Sequence, residues 1–288
     1  MLREDKNTFF TVVDGSFLPG AFALMRSVRT FFPEAKRIIK IHGQIKWAQI
    51  WSQLTNIAQI QKSDSIEMKP KESYYRNSFS RFNIGSIPGE YLIYIDADAF
   101  LSGRVSELLS VPHGKLGITS EHHYGYKFYH QLKKKEKVSL IAKRYGVGPS
   151  EPSLNTGVIA GHRGAWERFW TCLLRAQKKS LLFEASKGNQ GVVQPLLTKE
   201  NMHYELSRSC NELSKGNWNG KTPTVLHFTK GRTRPWETGP SRRDNSYPAF
   251  AEWRKYSNVV DFLHNGTFLQ ELFWRSLDDL RPFIRKYR

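Results

Sequence analysis

The feature that most constrains the fold is an uninterrupted apolar run at 91–95, YLIYI, which ends at Asp96. A strand with one face in water alternates apolar and polar residues, whereas a strand that is covered on both faces is apolar throughout. The run therefore predicts a central strand of a parallel sheet with helices packed on both faces.

Strand-like runs alternate with helical patterns along the rest of the chain. The run at 8–14 is β-branched and aromatic, and 19–33 places apolar residues on one helical face with a proline at each end. Further strands are predicted at 37–43, 91–96, 115–121, 154–161 and 224–229, and further helices at 46–54 and 165–179. This alternation predicts an α/β fold with a mostly parallel central sheet flanked by helices.

The composition favours a soluble protein with one large domain and an appendage. The chain has 288 residues, 39% of them hydrophobic, which is enough for a sizeable core. No apolar segment approaches the length of a membrane span, and the charged first residues do not resemble a secretory leader. Cys172 and Cys210 match neither a metal-ligand spacing nor a disulfide framework. We therefore expect a cytoplasmic protein.

The chain is strongly basic. It has 44 lysines and arginines against 26 acidic residues, a net charge of +18. Such a surface attracts nucleic acid, anionic lipid headgroups or phosphorylated substrates. A solvated basic surface without a specific partner is the alternative.

Two aspartates follow the central strand in YIDADAF, residues 94–100. Asp96 and Asp98 are separated by one residue, so in an extended segment their carboxylates face one point and repel each other unless a cation lies between them. A hard divalent ion such as Mg²⁺ or Mn²⁺ suits this pair. Asp14 and Asn155 also lie near the ends of predicted strands, so all four residues are expected at one edge of the sheet. A solvated turn is the alternative interpretation.

A second motif, HFTKGRTRPW at 227–236, begins at the end of another apolar run. His227 could supply a nitrogen ligand to a metal, and Gly231, which has cations on both sides, could hold a diphosphate. A structural histidine is the alternative.

In their order, these motifs resemble those of glycosyltransferase family 8, the retaining, metal-dependent nucleotide-sugar transferases that include glycogenin and bacterial lipopolysaccharide galactosyl- and glucosyltransferases. The matching segments, within residues 8–236, are TVVDGSFLPGA at 11–21, YIDAD at 94–98, LNTG at 154–157, GNQG at 188–191 and the motif at 227–236. The resemblance implies a nucleotide-sugar-binding fold of the GT-A type over residues 1–240, followed by a helical, basic extension at 241–288.

The resemblance also implies roles for individual residues. Asp96, Asp98 and His227 would be the ligands of Mn²⁺ or Mg²⁺. Asn189 and Gln190 would join Asp98 as the catalytic group. Because an amide is a poor nucleophile, Gln190 would stabilise an oxocarbenium-like state rather than form a covalent intermediate. The donor-binding residues would be Val12, Val13, Asp14, Arg81, Asp96, Ala97, Asn155, Lys230 and Gly231.

Departures from the family pattern leave details open. The closing motif is one residue longer and has Arg234 in place of lysine, so any of Lys230, Arg232 and Arg234 could meet the diphosphate. Asn189 stands where the family has an aspartate, so the identity of the donor sugar is open.

The activity implied by the resemblance is retaining transfer of a hexose from a nucleotide sugar, expected to be a UDP-hexose, to a saccharide or lipid-linked acceptor in lipopolysaccharide or cell-surface polysaccharide biosynthesis. The basic, aromatic segment 122–145 is the expected place of acceptor contacts, where a phosphorylated, lipid-linked saccharide would suit the charge. The tail 265–288 has apolar residues at helical spacing between arginines. It either packs on the catalytic domain or brings the enzyme to the inner face of an anionic membrane.

Two other functions are compatible with parts of the sequence. A phosphatase of the haloacid-dehalogenase type also uses two aspartates with Mg²⁺, but it has them after its first strand with Thr or Val two residues later, where this chain has Phe100. A nucleic-acid-binding protein would explain the charge, but no recognition helix, RNA-binding consensus or zinc module is visible, so nucleic acid is not the expected partner.

Overall fold

The structure is a computed structural model. It describes residues 6–43, 48–49, 52–53, 56–63, 78–121, 124–178, 181–213, 218–228, 235–236 and 248–257.

The described residues form two sheets. In chain order the strands are β1 (Asn7–Val13), β2 (Lys36–Ile41), β3 (Gln59–Lys62), β4 (Tyr91–Ile95), β5 (Ala99–Leu101), β6 (Leu116–Ser120), β7 (Leu154–His162), β8 (His203–Leu206), β9 (Glu212–Leu213) and β10 (Val225–His227). The seven-stranded central sheet has the order β3-β2-β1-β4-β7-β6-β8, and the three-stranded sheet has the order β5-β10-β9.

One strand of the central sheet runs against the other six. β7 is antiparallel to both of its neighbours, β4 and β6, while every other pair in this sheet is parallel. The chain enters β7 at the edge where β6 ends, since Ser120 pairs with Leu154. The start of β7 therefore lies at the edge of the sheet where the parallel strands end, which is the edge where ligands bind in such folds.

Helices cover both faces of the central sheet. They are α1 (Leu18–Phe31), α2 (Val138–Tyr145), α3 (Arg163–Gln177), α4 (Leu181–Ala185) and α5 (Gln190–Lys199), whereas α6 (Pro248–Arg254) packs with the second sheet. α1 has a proline in its first turn and ends two residues before Pro33, as the two prolines predicted. Among the helices of the described ranges, none has the length and apolarity needed to cross a bilayer.

Neighbouring side chains of the central strands enter opposite halves of the core. Phe10 and Tyr94 pack with Trp166 of α3, while Phe9 and Ile93 belong to the cluster that contains the apolar face of α1. Each fully buried ring of this kind stabilises the fold by roughly 1.5–3 kcal/mol. The prediction that β4 is covered on both faces is confirmed.

The second sheet and α6 enclose a smaller core. Phe100, Leu226 and Phe228 pack there with Trp236 and with Trp253 of α6. Residues 248–257 are the described part of the predicted extension 241–288, and the tail 265–288 lies outside the described residues. Phe100 and Phe228 stack with their ring centroids 5.8 Å apart, which ties the segment after Asp98 to the segment after His227.

The α/β architecture and the mostly parallel sheet agree with the prediction, but the sequence patterns did not predict the edge strands β3 and β8, the short strands β5 and β9, or the helices α2, α4 and α5. β3 and β8 are the outermost strands, and their sequences, QIQK and HYEL, are polar because these strands are only partly buried. Of the helix predicted at 46–54, the described pairs 48–49 and 52–53 are helical, and the rest lies outside the described residues.

Candidate functional site

Asp96 and Asp98 lie in a tight turn that joins the two sheets. The N–H of Ala99 donates to the carbonyl of Asp96 at 3.0 Å, and the N–H of Asp96 donates to the carbonyl of Gly157 at 2.7 Å. Sequence reasoning assumed an extended segment here. The structure has a turn because the chain leaves the central sheet after Ile95 and enters β5 at Ala99. Both carboxylates nevertheless face the same imidazole.

That imidazole is His227, at the end of β10. β10 pairs with β5 in a register that sets His227 opposite Ala99, and the N–H of Phe228 donates to the carbonyl of Asp98 at 2.7 Å. Nε2 of His227 lies 3.2 Å from Oδ1 of Asp98 and 3.8 Å from Oδ2 of Asp96. The pairing of two short strands thus brings together residues that are 129 positions apart.

The three side chains form a potential metal site. One ligand atom from each of Asp96, Asp98 and His227 lies within 4.8 Å of the others. Two carboxylate oxygens and one imidazole nitrogen are a donor set that suits Mn²⁺, and they leave further coordination positions for a substrate.

Asn211 fixes which nitrogen of His227 faces the carboxylates. Its amide nitrogen donates to the carbonyl of Asn155 at 3.4 Å, and its oxygen lies 3.0 Å from Nδ1 of His227. This orientation of the amide makes Nδ1 the protonated nitrogen and leaves the lone pair of Nε2 for a metal. Metal-ligating histidines usually have such a partner on their other nitrogen, so the residues present fit a divalent ion.

The other side of Asp96 is held by Arg81 and Tyr94. Nη1 of Arg81 lies 3.0 Å from Oδ1 of Asp96, and the hydroxyl of Tyr94 donates to the same oxygen. Arg81 also lies over the Tyr94 ring, 4.5 Å from its centroid, and donates to the carbonyl of Thr156 at 2.8 Å. The alternative of a solvated turn is therefore wrong for Asp96.

The electrostatics of the cluster reflect its burial. Burial raises the pKa of Asp96, the Arg81 guanidinium acts in the opposite direction, and the carboxylate of Asp98 adds to the rise. For His227, burial acts to lower the pKa, but the carboxylate of Asp98 outweighs it, so that pKa lies above its ordinary value. A cation between the three groups would relieve the repulsion between the carboxylates.

Asn155 lies at the start of β7, beside the cluster. Its amide nitrogen donates to Oε1 of Glu121 at 2.9 Å, and its oxygen accepts from the N–H of Gly157 at 2.9 Å. Those bonds use one N–H and one lone pair of an amide that has two of each. Gly157 is needed here, because a Cβ at this position would lie 2.7 Å from Nδ1 of His227.

The predicted donor-binding residues near the amino terminus lie at the same edge of the sheet. Val12 and Val13 end β1, and Asp14 then caps a 3₁₀ turn by accepting from the N–H of Ser16 at 3.0 Å. His42 connects this region to the segment of Arg81 by hydrogen bonds. Its N–H donates to the carbonyl of Val13 at 2.8 Å. Nε2 of the same histidine is 2.9 Å from Oγ of Ser80.

The remaining predicted residues lie in the DAD turn, on α5 and beyond β10. Ala97 is the middle residue of the turn, and Gln190 begins α5, directly after Asn189. One helical turn later, the Gln194 side chain accepts from the N–H of Leu154 at 3.1 Å and donates to the carbonyl of Pro152 at 2.9 Å. The second turn of α5 therefore lies next to the segment that leads into Asn155.

Lys230 and Gly231, with Arg232 and Arg234, lie outside the described residues.

Sequence reasoning missed Glu121, Tyr94 as a site residue, and Asn211. Glu121 ends a predicted strand, as Asp96 does, so the rule about strand ends could have found it. Tyr94 is two residues before Asp96 in the same strand and was interpreted only as core. Asn211 has no local signal, because its role depends on the pairing of β9 with β10.

No known family profile matches the sequence, and no curated protein matches it at a significant level. Solved structures do match. The bifunctional glycosyltransferase WbbM aligns with a TM-score of 0.64 and 13% identity over 96% of this chain and 52% of that one. This chain thus spans about half of WbbM.

Two further structures are similar. The galactosyltransferase LgtC, solved with donor and acceptor sugar analogues, aligns with a TM-score of 0.58 and 11% identity over 86% of this chain and 94% of that one. The glycosyltransferase GlyE of Streptococcus pneumoniae aligns with a TM-score of 0.55 and 15% identity over 94% of this chain and 65% of that one. These likenesses show a shared fold, and the predicted GT-A architecture is confirmed.

Proposed function

We propose that this chain is a retaining, divalent-metal-dependent glycosyltransferase of family 8 that transfers a hexose from a nucleotide sugar, a UDP-hexose, to a saccharide or lipid-linked acceptor. The observation that carries the proposal is the cluster of Asp96, Asp98 and His227 at the ligand-binding edge of a GT-A fold. That LgtC was solved with donor and acceptor sugar analogues supports the substrate class.

Mn²⁺ or Mg²⁺ would be held by Asp96, Asp98 and His227, and when bound it would neutralise charge on the departing diphosphate. The chain's own residues prepare this site. Asn211 keeps Nε2 of His227 directed toward the two aspartates, where its lone pair can go to a metal, and Arg81 helps to keep Asp96 ionised.

Val12, Val13, Asp14 and Ala97 are proposed to contact the nucleoside, and Lys230 and Gly231 the diphosphate. Preorganised cations at the diphosphate stabilise the negative charge that grows on it as its bond to the sugar breaks.

With retention, the acceptor hydroxyl attacks C1 of the donor sugar from the face that the diphosphate leaves. The C1–O bond to phosphate breaks with its electron pair on the phosphate oxygen, and the acceptor oxygen forms the new bond to C1. The acceptor proton passes to the departing phosphate oxygen. Gln190 stabilises positive charge at C1 through its amide oxygen, and Asn189 and Asn155 orient the sugar hydroxyls.

A panel of nucleotide sugars tests this function. The protein is incubated with Mn²⁺ and UDP-, GDP- and ADP-hexoses, and nucleoside diphosphate release is measured with and without added saccharides. We expect release from a UDP-hexose, and product whose anomeric configuration by NMR is that of the donor. Absence of release across the panel would contradict the function, and a covalent glycosyl adduct on Gln190 would contradict the mechanism.

We also propose that residues 1–240 are the catalytic domain and that the extension 241–288 serves the acceptor side, with 265–288 placing the enzyme on the inner, cytoplasmic face of an anionic membrane. The basic and apolar pattern of this tail supports the proposal. Co-sedimentation with anionic liposomes should be lost on deletion of 265–288, and unchanged co-sedimentation would refute a membrane role for the tail.

A further inference from the structure

The connection between β6 and β7 starts and ends at the ligand-binding edge of the sheet, because β6 ends and β7 begins there. Four large hydrophobic side chains are exposed in the described part of the chain, and three of them, Tyr126, Tyr129 and Leu140, belong to this connection. Exposed aromatic side chains beside a binding site are typical of recognition surfaces.

The same connection is rich in lysine, and it is joined to the segment that precedes α5. Residues 126–137 contain five lysines and one glutamate. The N–H of Lys133 donates to the carbonyl of Ala185 at 2.8 Å, and the N–H of Lys187 donates to the carbonyl of Gln131 at 2.8 Å. This pairing brings Lys187 close to Lys135.

Two like charges are thereby held near each other in water. Nζ of Lys135 donates to the carbonyl of Tyr129 and lies 4.7 Å from the centroid of that ring. Desolvation and the charge of Lys187 lower the pKa of Lys135. The neighbouring Lys134 is paired with an acid, its Nζ lying 3.9 Å from Oε2 of Glu184. An anion between Lys135 and Lys187 would relieve their repulsion.

This surface also lies next to the segments that we propose to hold the donor sugar. A Cβ on Gly191 would lie 2.7 Å from the carbonyl oxygen of Gln131, so the first turn of α5 packs directly on the connection. On the other side, Nε2 of Gln131 donates to Oγ of Ser153 at 2.8 Å, two residues before Asn155. An acceptor bound here would be beside both Gln190 and Asn155.

From this arrangement we infer that Tyr126, Tyr129, Lys133, Lys135 and Lys187, the basic aromatic face, bind the acceptor, and that the acceptor is a saccharide that carries a phosphate group. The exposed Tyr126 ring provides a flat surface for the sugar, the Tyr129 ring holds the Lys135 ammonium over its face, and the lysines provide charge-assisted hydrogen bonds for the phosphate. The assignment of this ligand as an acceptor rests on the proposed glycosyl transfer, but binding of the ligand can be measured without it.

The test uses glucose 6-phosphate and glucose as a matched pair of probes, with binding to the full chain measured by calorimetric titration in low salt. We expect glucose 6-phosphate to bind roughly tenfold more tightly than glucose, since each exposed lysine adds a modest charge-assisted contact. The double variant Lys135→Gln/Lys187→Gln should lose this preference. The control Lys143→Gln/Arg144→Gln removes the same charge from exposed positions on α2 and should keep it.

Other outcomes separate the possible anions. Inorganic phosphate that binds as tightly as glucose 6-phosphate would overturn the saccharide assignment. The same holds if the wild-type chain and the control variant bind phosphatidylglycerol vesicles and the Lys135/Lys187 variant does not. Equal affinities of the wild-type chain for glucose and glucose 6-phosphate would overturn the phosphate assignment. These titrations measure binding and do not need nucleotide-sugar turnover. Absence of turnover would therefore refute the proposed function without deciding whether this face binds a phosphorylated saccharide.

Discussion

The role of Asn211 can be tested by a substitution that keeps its volume. Asn211→Leu removes the amide oxygen that lies 3.0 Å from Nδ1 of His227, and both residues are buried, with 2% and 5% of their surfaces exposed. The Nδ1–H then loses its acceptor, which costs about 1–3 kcal/mol for a buried group. His227 escapes this cost by moving its proton to Nε2 or by turning its ring, and either change removes the nitrogen that we propose as a metal ligand.

The expected result is a 10- to 100-fold weaker binding of Mn²⁺, about 1.4–2.7 kcal/mol, as is typical when a partner of a ligating histidine is lost. Calorimetric titration with Mn²⁺ measures the affinity, and thermal unfolding confirms that the variant is folded. Asn211→Asp keeps an acceptor for Nδ1–H and should bind Mn²⁺ at least as tightly as the wild-type chain. If folded Asn211→Leu binds Mn²⁺ with wild-type affinity, the assignment of Nε2 as a ligand is refuted.

Three further predictions concern residues around the cluster. Gly157→Ala should weaken Mn²⁺ binding about tenfold with the fold intact, because overpacking of roughly 1–3 kcal/mol displaces the His227 ring, and an unchanged titration would contradict this. Arg81→Met should lower the free energy of unfolding in urea by roughly 1–3 kcal/mol, since Asp96 loses its partner in a partly buried ion pair, and wild-type stability would show that the pair is dispensable. Burial raises the pKa of Glu121, so folding stability should fall as pH rises from the ordinary glutamate pKa of about 4.3 through the raised value. Glu121→Gln removes this dependence, so the free energy of unfolding of the variant minus that of the wild-type chain should be higher at pH 7 than at pH 4. An equal difference at the two pH values would contradict a raised pKa of Glu121.

The parts of the fold that the sequence predicted have strong local patterns. The apolar run at 91–95, the helix bounded by two prolines and the strand beginning at Leu154 each have a composition that suits one environment only. β3 and β8 escaped prediction because edge strands need few apolar residues. The reversed direction of β7 escaped because a strand that is buried on both faces has the same composition in either direction.

The candidate site divides in a similar way. Asp96, Asp98 and His227 follow apolar runs, and strand ends point to one edge of a sheet, so their meeting could be expected. The contact between Asn211 and His227 could not, because it depends on the pairing of β9, a strand of two residues, with β10. The proximity of Lys135 and Lys187 likewise depends on pairing between two loops, which no periodic pattern reports.

The most direct test of the metal-dependent transfer is nucleoside diphosphate release from a UDP-hexose after the metal is removed with a chelator and then restored as Mn²⁺. The account predicts that release by the wild-type chain stops on removal and returns with Mn²⁺, while Asp98→Asn stays inactive in both conditions. Glu167→Gln, which changes an exposed carboxylate on α3, should behave as the wild-type chain. Release that continues in the chelator, or full activity of Asp98→Asn with Mn²⁺, would contradict the account.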